Sequence, residues 1–255
     1  MARPKALVLR STGTNCEVET ALALELGGAE ASILHFDRIL EDPARLAGYR
    51  ILAFAGGFSF GDDLSAGRVW GAQLRGPLRE ALNEHVQGGG FALGICNGFQ
   101  VLVESGIFEP EARPDERSVA LYANASNRYE CRWVNLEVQE SRVPWLPAGE
   151  RFPTPVAHAE GRFVAKDLEA LRAAGQIALT YVSESGGEPA YPDNPNGAMG
   201  HVAGICDPTG RVLGLMPHPE RNLFPWNHPH ATRRGARDEG EGALFYRRLV
   251  ETAGA

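Results

Sequence analysis

No stretch constrains this chain more than Gly90-Phe91-Ala92-Leu93-Gly94-Ile95-Cys96-Asn97-Gly98-Phe99-Gln100-Val101-Leu102. Phe91 to Ile95 is an unbroken apolar run of strand length. Apolar residues return at Phe99, Val101, Leu102 and Val103, which suits a packed helix. Cys96 therefore falls on the turn between a buried strand and a helix, with Gly94 and Gly98 two residues to either side. This is the Gly-x-Cys-x-Gly form of a nucleophile elbow. So sharp a turn strains the backbone of its central residue, and bulky neighbours two positions away would collide. The helix that follows aims its amides and positive dipole end at the sulfur, which favours the reactive thiolate. A small buried core cysteine could occupy the same place. The paired glycines and the strand before them favour a nucleophile.

The rest of the chain predicts the frame that carries this elbow. Ala6 to Leu9, Ala31 to Phe36 and Ile51 to Ala55 read as strands. A helix is expected over Glu17 to Leu26, with Val18, Ala21, Leu22 and Leu26 on its core face and Gly27-Gly28 as its stop. One helix from Gly71 to Val86 should feed the elbow strand. Strands alternating with helices imply an α/β fold: an open, flavodoxin-like, mostly parallel sheet with helices on both faces. After Ser105 the pattern changes. Glu109 to Glu116 reads as a loop and Trp133 to Val138 as a half-exposed strand. Val156 to Phe163 reads as exposed, near the site or at an interface. Ala165 to Ala174 reads as a helix, Ile177 to Val182 as a strand, and Tyr191 to Gly197 as a rigid loop. This part is expected to be an antiparallel elaboration within a single domain over residues 1–255. A closing helix from Gly242 to Thr252 should turn Leu244, Phe245, Leu249 and Val250 to the core.

In parallel sheets, ligands collect at the carboxyl ends of the strands. Two further motifs lie at such ends. In Gly56-Gly57-Phe58-Ser59-Phe60-Gly61-Asp62-Asp63 the paired glycines let backbone approach a ligand closely. Amides of this loop, with the Asn97 N–H just after the cysteine, can form an oxyanion hole; a plain turn is the competing reading. Downstream, a buried strand ends in Met216-Pro217-His218-Pro219-Glu220-Arg221. In an extended segment His218 and Glu220 share a side, and a histidine oriented by a carboxylate is the acid/base a cysteine nucleophile needs. Alone, the same residues fit a surface turn. The segment from Trp226 to Glu241 holds His228, His230, Arg233, Arg234 and Arg237, and reads as a solvated loop rather than a metal site.

Charge and composition exclude several classes. The net charge of -7 argues against a nucleic-acid surface. Cys16, Cys96, Cys131 and Cys206 are scattered, with no Cys-x-x-Cys pair, which fits a reducing cytosol rather than zinc or disulfides. The first apolar run is too short for a signal peptide, and no later one is long enough to cross a bilayer. The two lysines, Lys5 and Lys166, stand in no Gly-Lys-Ser/Thr pattern, so ATP chemistry is expected elsewhere.

These motifs together resemble the class I (triad) glutamine amidotransferases. The Gly56–Asp62 loop, Asn97-Gly98-Phe99-Gln100 and Ala157-His158-Ala159-Glu160-Gly161-Arg162-Phe163 look like the PurQ-type glutaminase subunits of phosphoribosylformylglycinamidine synthase. The resemblance covers nearly the whole chain; Phe60 and Ala159 depart from the usual Tyr and Gly. It implies Cys96 as nucleophile, His218 as acid/base and Glu220 as its orienter. It implies Gly57 and Asn97 as oxyanion donors, Gln100 lining the glutamine pocket, and no metal or cofactor in this chain. It further implies a PurL-type synthetase partner that holds ATP and Mg, with or without a small PurS-type bridging subunit. The alternatives are an amidotransferase subunit for another acceptor, a protease-like or aldehyde-acting cysteine enzyme on a similar fold, and a catalytically silent flavodoxin-like module.

Overall fold

The computed structural model describes residues 3–63, 65–75, 77–110 and 116–255. The elements run β1 (Lys5–Arg10), α1 (Glu17–Leu26), β2 (Glu30–His35), α2 (Asp37–Glu41), β3 (Ile51–Phe54), α3 (Arg68–Gln73), α4 (Pro77–Gln87), β4 (Phe91–Ile95) and α5 (Asn97–Ser105). They continue β5 (Val119–Ala123), β6 (Glu130–Val138), β7 (Arg151–His158), β8 (Glu160–Ala165), α6 (Leu168–Ala173), β9 (Ile177–Val182), β10 (Val202–Cys206), β11 (Val212–Leu215) and α7 (Glu241–Gly254).

Among the described residues, nine strands form one sheet in the order β2-β1-β3-β4-β11-β10-β9-β6-β7. The strands from β2 to β11 pair in parallel. From β11 through β10, β9 and β6 to β7 every pairing is antiparallel. The expected elaboration is therefore an extension of the same sheet, with β5 and β8 as a separate antiparallel pair. The parallel strands β3, β4 and β11 are buried along their whole length, as a sheet covered on both faces requires. The register sets Gly214 beside Gly94 and Leu215 beside Ile95. The chain leaving β11 thus emerges next to Cys96.

Four expectations are corrected here. The inward face of α1 is Thr20, Ala23 and Leu24, while Val18, Leu22 and Leu26 are 66%, 39% and 46% exposed. Small residues let α1 lie close against its neighbours β1, β2 and α7, and this rotation turns Cys16 and Glu19 toward the site. The single helix over 71–86 is two helices, α3 and α4, because Pro77 has no N–H and cannot sit inside a continuous helix. Of Val156 to Phe163, only Ala159 is exposed. Alternate residues Val156, His158, Gly161 and Phe163 of β7 and β8 are buried. On α7, Leu244 is half-buried and Tyr246 takes the core position instead. The predicted loop over 109–116 lies largely outside the described residues. No helix among the described residues is long and apolar enough to cross a membrane.

Candidate active site

Cys96 stands where β4 ends and α5 begins. Its φ of 51° and ψ of -107° are not an ordinary conformation for an L-residue, so the turn carries strain. It is held from both sides: its N–H donates to Leu215 O of β11 at 2.8 Å, and its carbonyl accepts from Gln100 N at 3.1 Å. Space explains the flanking glycines. A Cβ on Gly98 would lie 1.9 Å from Phe54 O, and one on Gly94 would lie 2.7 Å from Gly98 O. α5 is thereby seated on the ends of β3 and β4. The Cys96 sulfur lies 3.8 Å from Ala157 O of β7, so the antiparallel half supplies the facing wall.

His218 follows β11. Its N–H donates to Pro155 O at 2.8 Å, and its Nδ1 lies 2.6 Å from Glu220 Oε1 with both side chains essentially inaccessible. The pair does not use the extended geometry expected from sequence. Pro219 opens a single 3-10 turn over Pro219–Arg221, which folds Glu220 back under the ring. Nε2 meets no partner at full hydrogen-bond geometry; such bonds commonly tighten only when substrate is present. Burial opposes charge on this ring. The Glu220 carboxylate, the Cys96 charge and the nearness of the Cys16 and Cys96 sulfurs outweigh it, and the imidazole is held well above its ordinary value. The structure thus brings Cys96, His218 and Glu220 into one site.

The glycine loop meets the same edge. Gly57 has φ 148°, and a Cβ there would lie 2.7 Å from Asn15 N and from Thr14 Cα. The 13–15 turn pins the loop: Gly56 O accepts from Asn15 N and Cys16 N, both at 3.2 Å, and Phe58 N donates to Gly13 O at 2.9 Å. The Phe58 amide is therefore occupied, whereas the Gly57 and Asn97 amides have no acceptor among the described residues. The Asn97 side chain ties loop to elbow. Its Oδ1 accepts from Ser59 N at 3.2 Å, and its Nδ2 donates to Asp62 Oδ1 at 3.3 Å and Gln100 Oε1 at 3.1 Å. Gln100 Nε2 donates to Glu160 O at 2.7 Å, so both ends of its amide are held by protein groups. Burial and the Glu160 charge push Asp62 up to about 6.

The family model of the CobB/CobQ-like glutamine amidotransferase domain matches residues 3–251. The chain is 39% identical over 254 residues to the phosphoribosylformylglycinamidine synthase subunit PurQ of Dehalococcoides mccartyi, covering 99% of each. The chain belongs to the PurQ family of glutamine amidotransferases. It is 43% identical over 232 residues to the PurQ subunit of Methanococcus maripaludis, covering 89% of this chain and 85% of that one. Among solved structures, PurLQS from Thermotoga maritima matches with a TM-score of 0.73 and 28% identity, over 98% of this chain and 99% of that chain.

Sequence reasoning missed two residues of this PurQ-family site. Cys16, the residue before α1, is 1% exposed, and its sulfur lies within 4.8 Å of ligand-type atoms of both His218 and Glu220. That sulfur accepts from the Arg221 guanidinium at 3.0 Å. Its position at the carboxyl end of β1 was the available signal, since that edge collects function. His158, at the end of β7, is buried; burial and then the His218 charge push it down to about 3, so it is neutral. Its Nδ1 lies 3.1 Å from Asn124 Oδ1. No spacing in the sequence connects residues 124 and 158.

Proposed function

We propose that this chain is the glutaminase subunit of a phosphoribosylformylglycinamidine synthase, with Cys96, His218 and Glu220 as its triad. The observation that carries this reading is the strained Cys96 elbow beside a buried histidine held by a carboxylate at 2.6 Å. The Cys96 thiolate attacks the side-chain amide carbon of glutamine; a C–S bond forms and the carbonyl π pair moves to oxygen. The unoccupied Gly57 and Asn97 amides receive the oxyanion, and removing one such donor typically costs about a hundredfold or more. His218 protonates the departing nitrogen, releasing ammonia and leaving a thioester. Water then attacks with His218 as base, and glutamate leaves as the thiol re-forms. Glu220 keeps the ring oriented and stabilises its charge through both steps. Gln100, braced on Glu160 and Asn97, shapes the glutamine pocket.

This chain needs no metal or cofactor for these steps. By likeness to PurLQS, ammonia passes to a PurL-type synthetase subunit that holds ATP and Mg, with a PurS-type subunit as a bridging component. The four free cysteines suit a reducing cytoplasm. The test is a glutaminase assay of wild type and Cys96→Ala, with and without the synthetase. Activity is expected to rise on complex formation and to vanish in the variant. Retained hydrolysis in Cys96→Ala would discard the mechanism; no stimulation by the synthetase would discard the purine assignment.

A further inference from the structure

We propose that Glu160 is a positioning residue for the glutamine pocket: from the β7–β8 corner its carboxylate clamps the Ser65–Gly67 turn against Gln100, while its carbonyl holds the Gln100 amide. The inference rests on the reading of Gln100 as a wall of that pocket.

Three hydrogen bonds converge on this residue. Glu160 Oε2 accepts from Ser65 Oγ at 2.9 Å and from Ala66 N at 3.2 Å. Glu160 O accepts from Gln100 Nε2 at 2.7 Å. The turn itself lies on the start of α5. A Cβ on Gly67 would fall 2.7 Å from Gln100 Cβ and 2.8 Å from Val101 N, so the chain passes there only as glycine. From one point, Glu160 thus fixes the amide of Gln100 and the segment packed on its stem.

The turn needs holding. Ser65 has φ 90° and Gly67 φ 72°, and Phe60 and Asp62 upstream also lie at positive φ, at 53° and 55°. Such conformations are costly for residues with a Cβ and persist where the surroundings over-determine them. Asn97 secures the first part of this segment through Ser59 N and Asp62 Oδ1. Glu160 secures the last.

The corner that carries Glu160 does not depend on its side chain. Asn124 N donates to Ala159 O at 2.9 Å, and Asn124 Nδ2 donates to His158 O at 2.8 Å. Asn196 Nδ2 donates to Gly161 O at 2.9 Å. The carbonyls on either side of Glu160 are therefore held by other residues. Truncating its side chain leaves the corner and the Gln100 bond to its carbonyl in place and frees the turn. Glutamine then meets a pocket with one loose wall, while the Cys96 elbow is untouched, so the deficit falls on KM.

The experiment measures KM and kcat for glutamine in the complex with the synthetase, beside the rate at which iodoacetamide alkylates Cys96 in the full chain. Iodoacetamide is small and needs no glutamine pocket, so it reports the elbow alone. Glu160→Ala is expected to raise KM about tenfold, with kcat and the alkylation rate each within about twofold of wild type. Ser65→Ala removes one of the two side-chain contacts and should raise KM about threefold, yet add nothing in the Glu160→Ala background. Glu160→Gln keeps an oxygen acceptor at the same reach and should recover at least half of the loss, read as log KM. Ser65→Ala carries the test if Glu160→Ala does not fold. An unchanged KM in Glu160→Ala or in Ser65→Ala, additive effects in the double variant, or alkylation slowed in step with the rise in KM overturns the proposal. A Gln100→Ala variant with unchanged KM would instead strike the reading of the glutamine pocket, a separate outcome.

Discussion

Two cysteines flank one imidazole in this molecule, and they differ in an instructive way. Cys16 and Cys96 are both buried, and each immediately precedes a helix, α1 or α5. Both sulfurs bear on His218. A helix N-terminus and a histidine are thus common to the two and cannot be what makes one a nucleophile. The backbones differ: Cys96 sits at φ 51°, Cys16 at a relaxed -106°. Their hydrogen bonds differ too. The Cys16 sulfur is engaged by Asn15 and Arg221 at close to 3 Å, whereas the Cys96 sulfur reaches Ala157 O only at 3.8 Å. On the proposed mechanism, reactivity goes to the sulfur that the turn holds out.

The sharpest way to break this comparison is to delete each sulfur. Cys96→Ala should lower glutamine hydrolysis by about a thousandfold or more, since no other group can form the thioester. Cys16→Ala should still form it, detected as a mass increment on Cys96 after quenching. Equal losses would mean that the two sulfurs act as one unit. Glu220→Gln comes next. It removes the charge that holds the ring, and kcat should fall by about a hundredfold or more with little change in KM. Restoration of most activity at high pH would show that orientation matters less than charge. Gly98→Ala tests the elbow itself. Its Cβ would sit 1.9 Å from Phe54 O, so urea denaturation should show a loss of at least about 2 kcal/mol. A stable, active Gly98→Ala protein would refute the close seating of α5.

Much of this was legible in the sequence because it was local. The elbow is a strand pattern, a helix pattern and two glycines within a dozen residues, and the structure has the strand at Phe91–Ile95 as read, with a helix starting directly after Cys96. β9 and α1 match their predicted bounds for the same reason. What failed was orientation and long-range pairing. The apolar stripe Val18-Leu22-Leu26 obeys helical spacing, yet the helix is rotated by Cys16 and Glu19 engaging Arg221, about two hundred positions away by sequence separation. Cys16 looked like one of four scattered cysteines because nothing near it in sequence marks His218 as its neighbour. Val156 to Phe163 looked exposed because its polar residues are paired across β7 and β8 to Asn124 and to the elbow, partners that only the sheet supplies.

The two sides of the site should also separate by pH. His158 is held near 3 against an ordinary 6.5, so the folded state binds fewer protons than the unfolded state between those values. Its contribution is present above 6.5 and lost as pH falls toward 3, at up to about 1.4 kcal/mol per pH unit. His218 is raised instead, so its contribution is present below 6.5 and lost only as pH rises through its higher folded value. Asp62, raised to about 6, acts oppositely to His158 in the acid window. Comparing urea midpoints of wild type and His158→Gln between pH 6.5 and 4.5 cancels Asp62. The variant should show the flatter acid slope; parallel slopes would mean that His158 titrates freely.

The smallest expected effect is no effect, and it isolates the imidazole. Cys131 is an exposed free thiol on β6, paired across the strands with Ala157. It is a third cysteine, exposed and outside the elbow. If His218 is needed to activate the elbow sulfur, His218→Asn should slow iodoacetamide labelling of Cys96 at neutral pH by about tenfold or more. Labelling of Cys131 in the same sample should not change. Both sites are read from one digest, so a general loosening of the fold would reveal itself as faster labelling of Cys96 and of buried Cys206. Unchanged Cys96 labelling in His218→Asn would leave the elbow as the sole source of its reactivity.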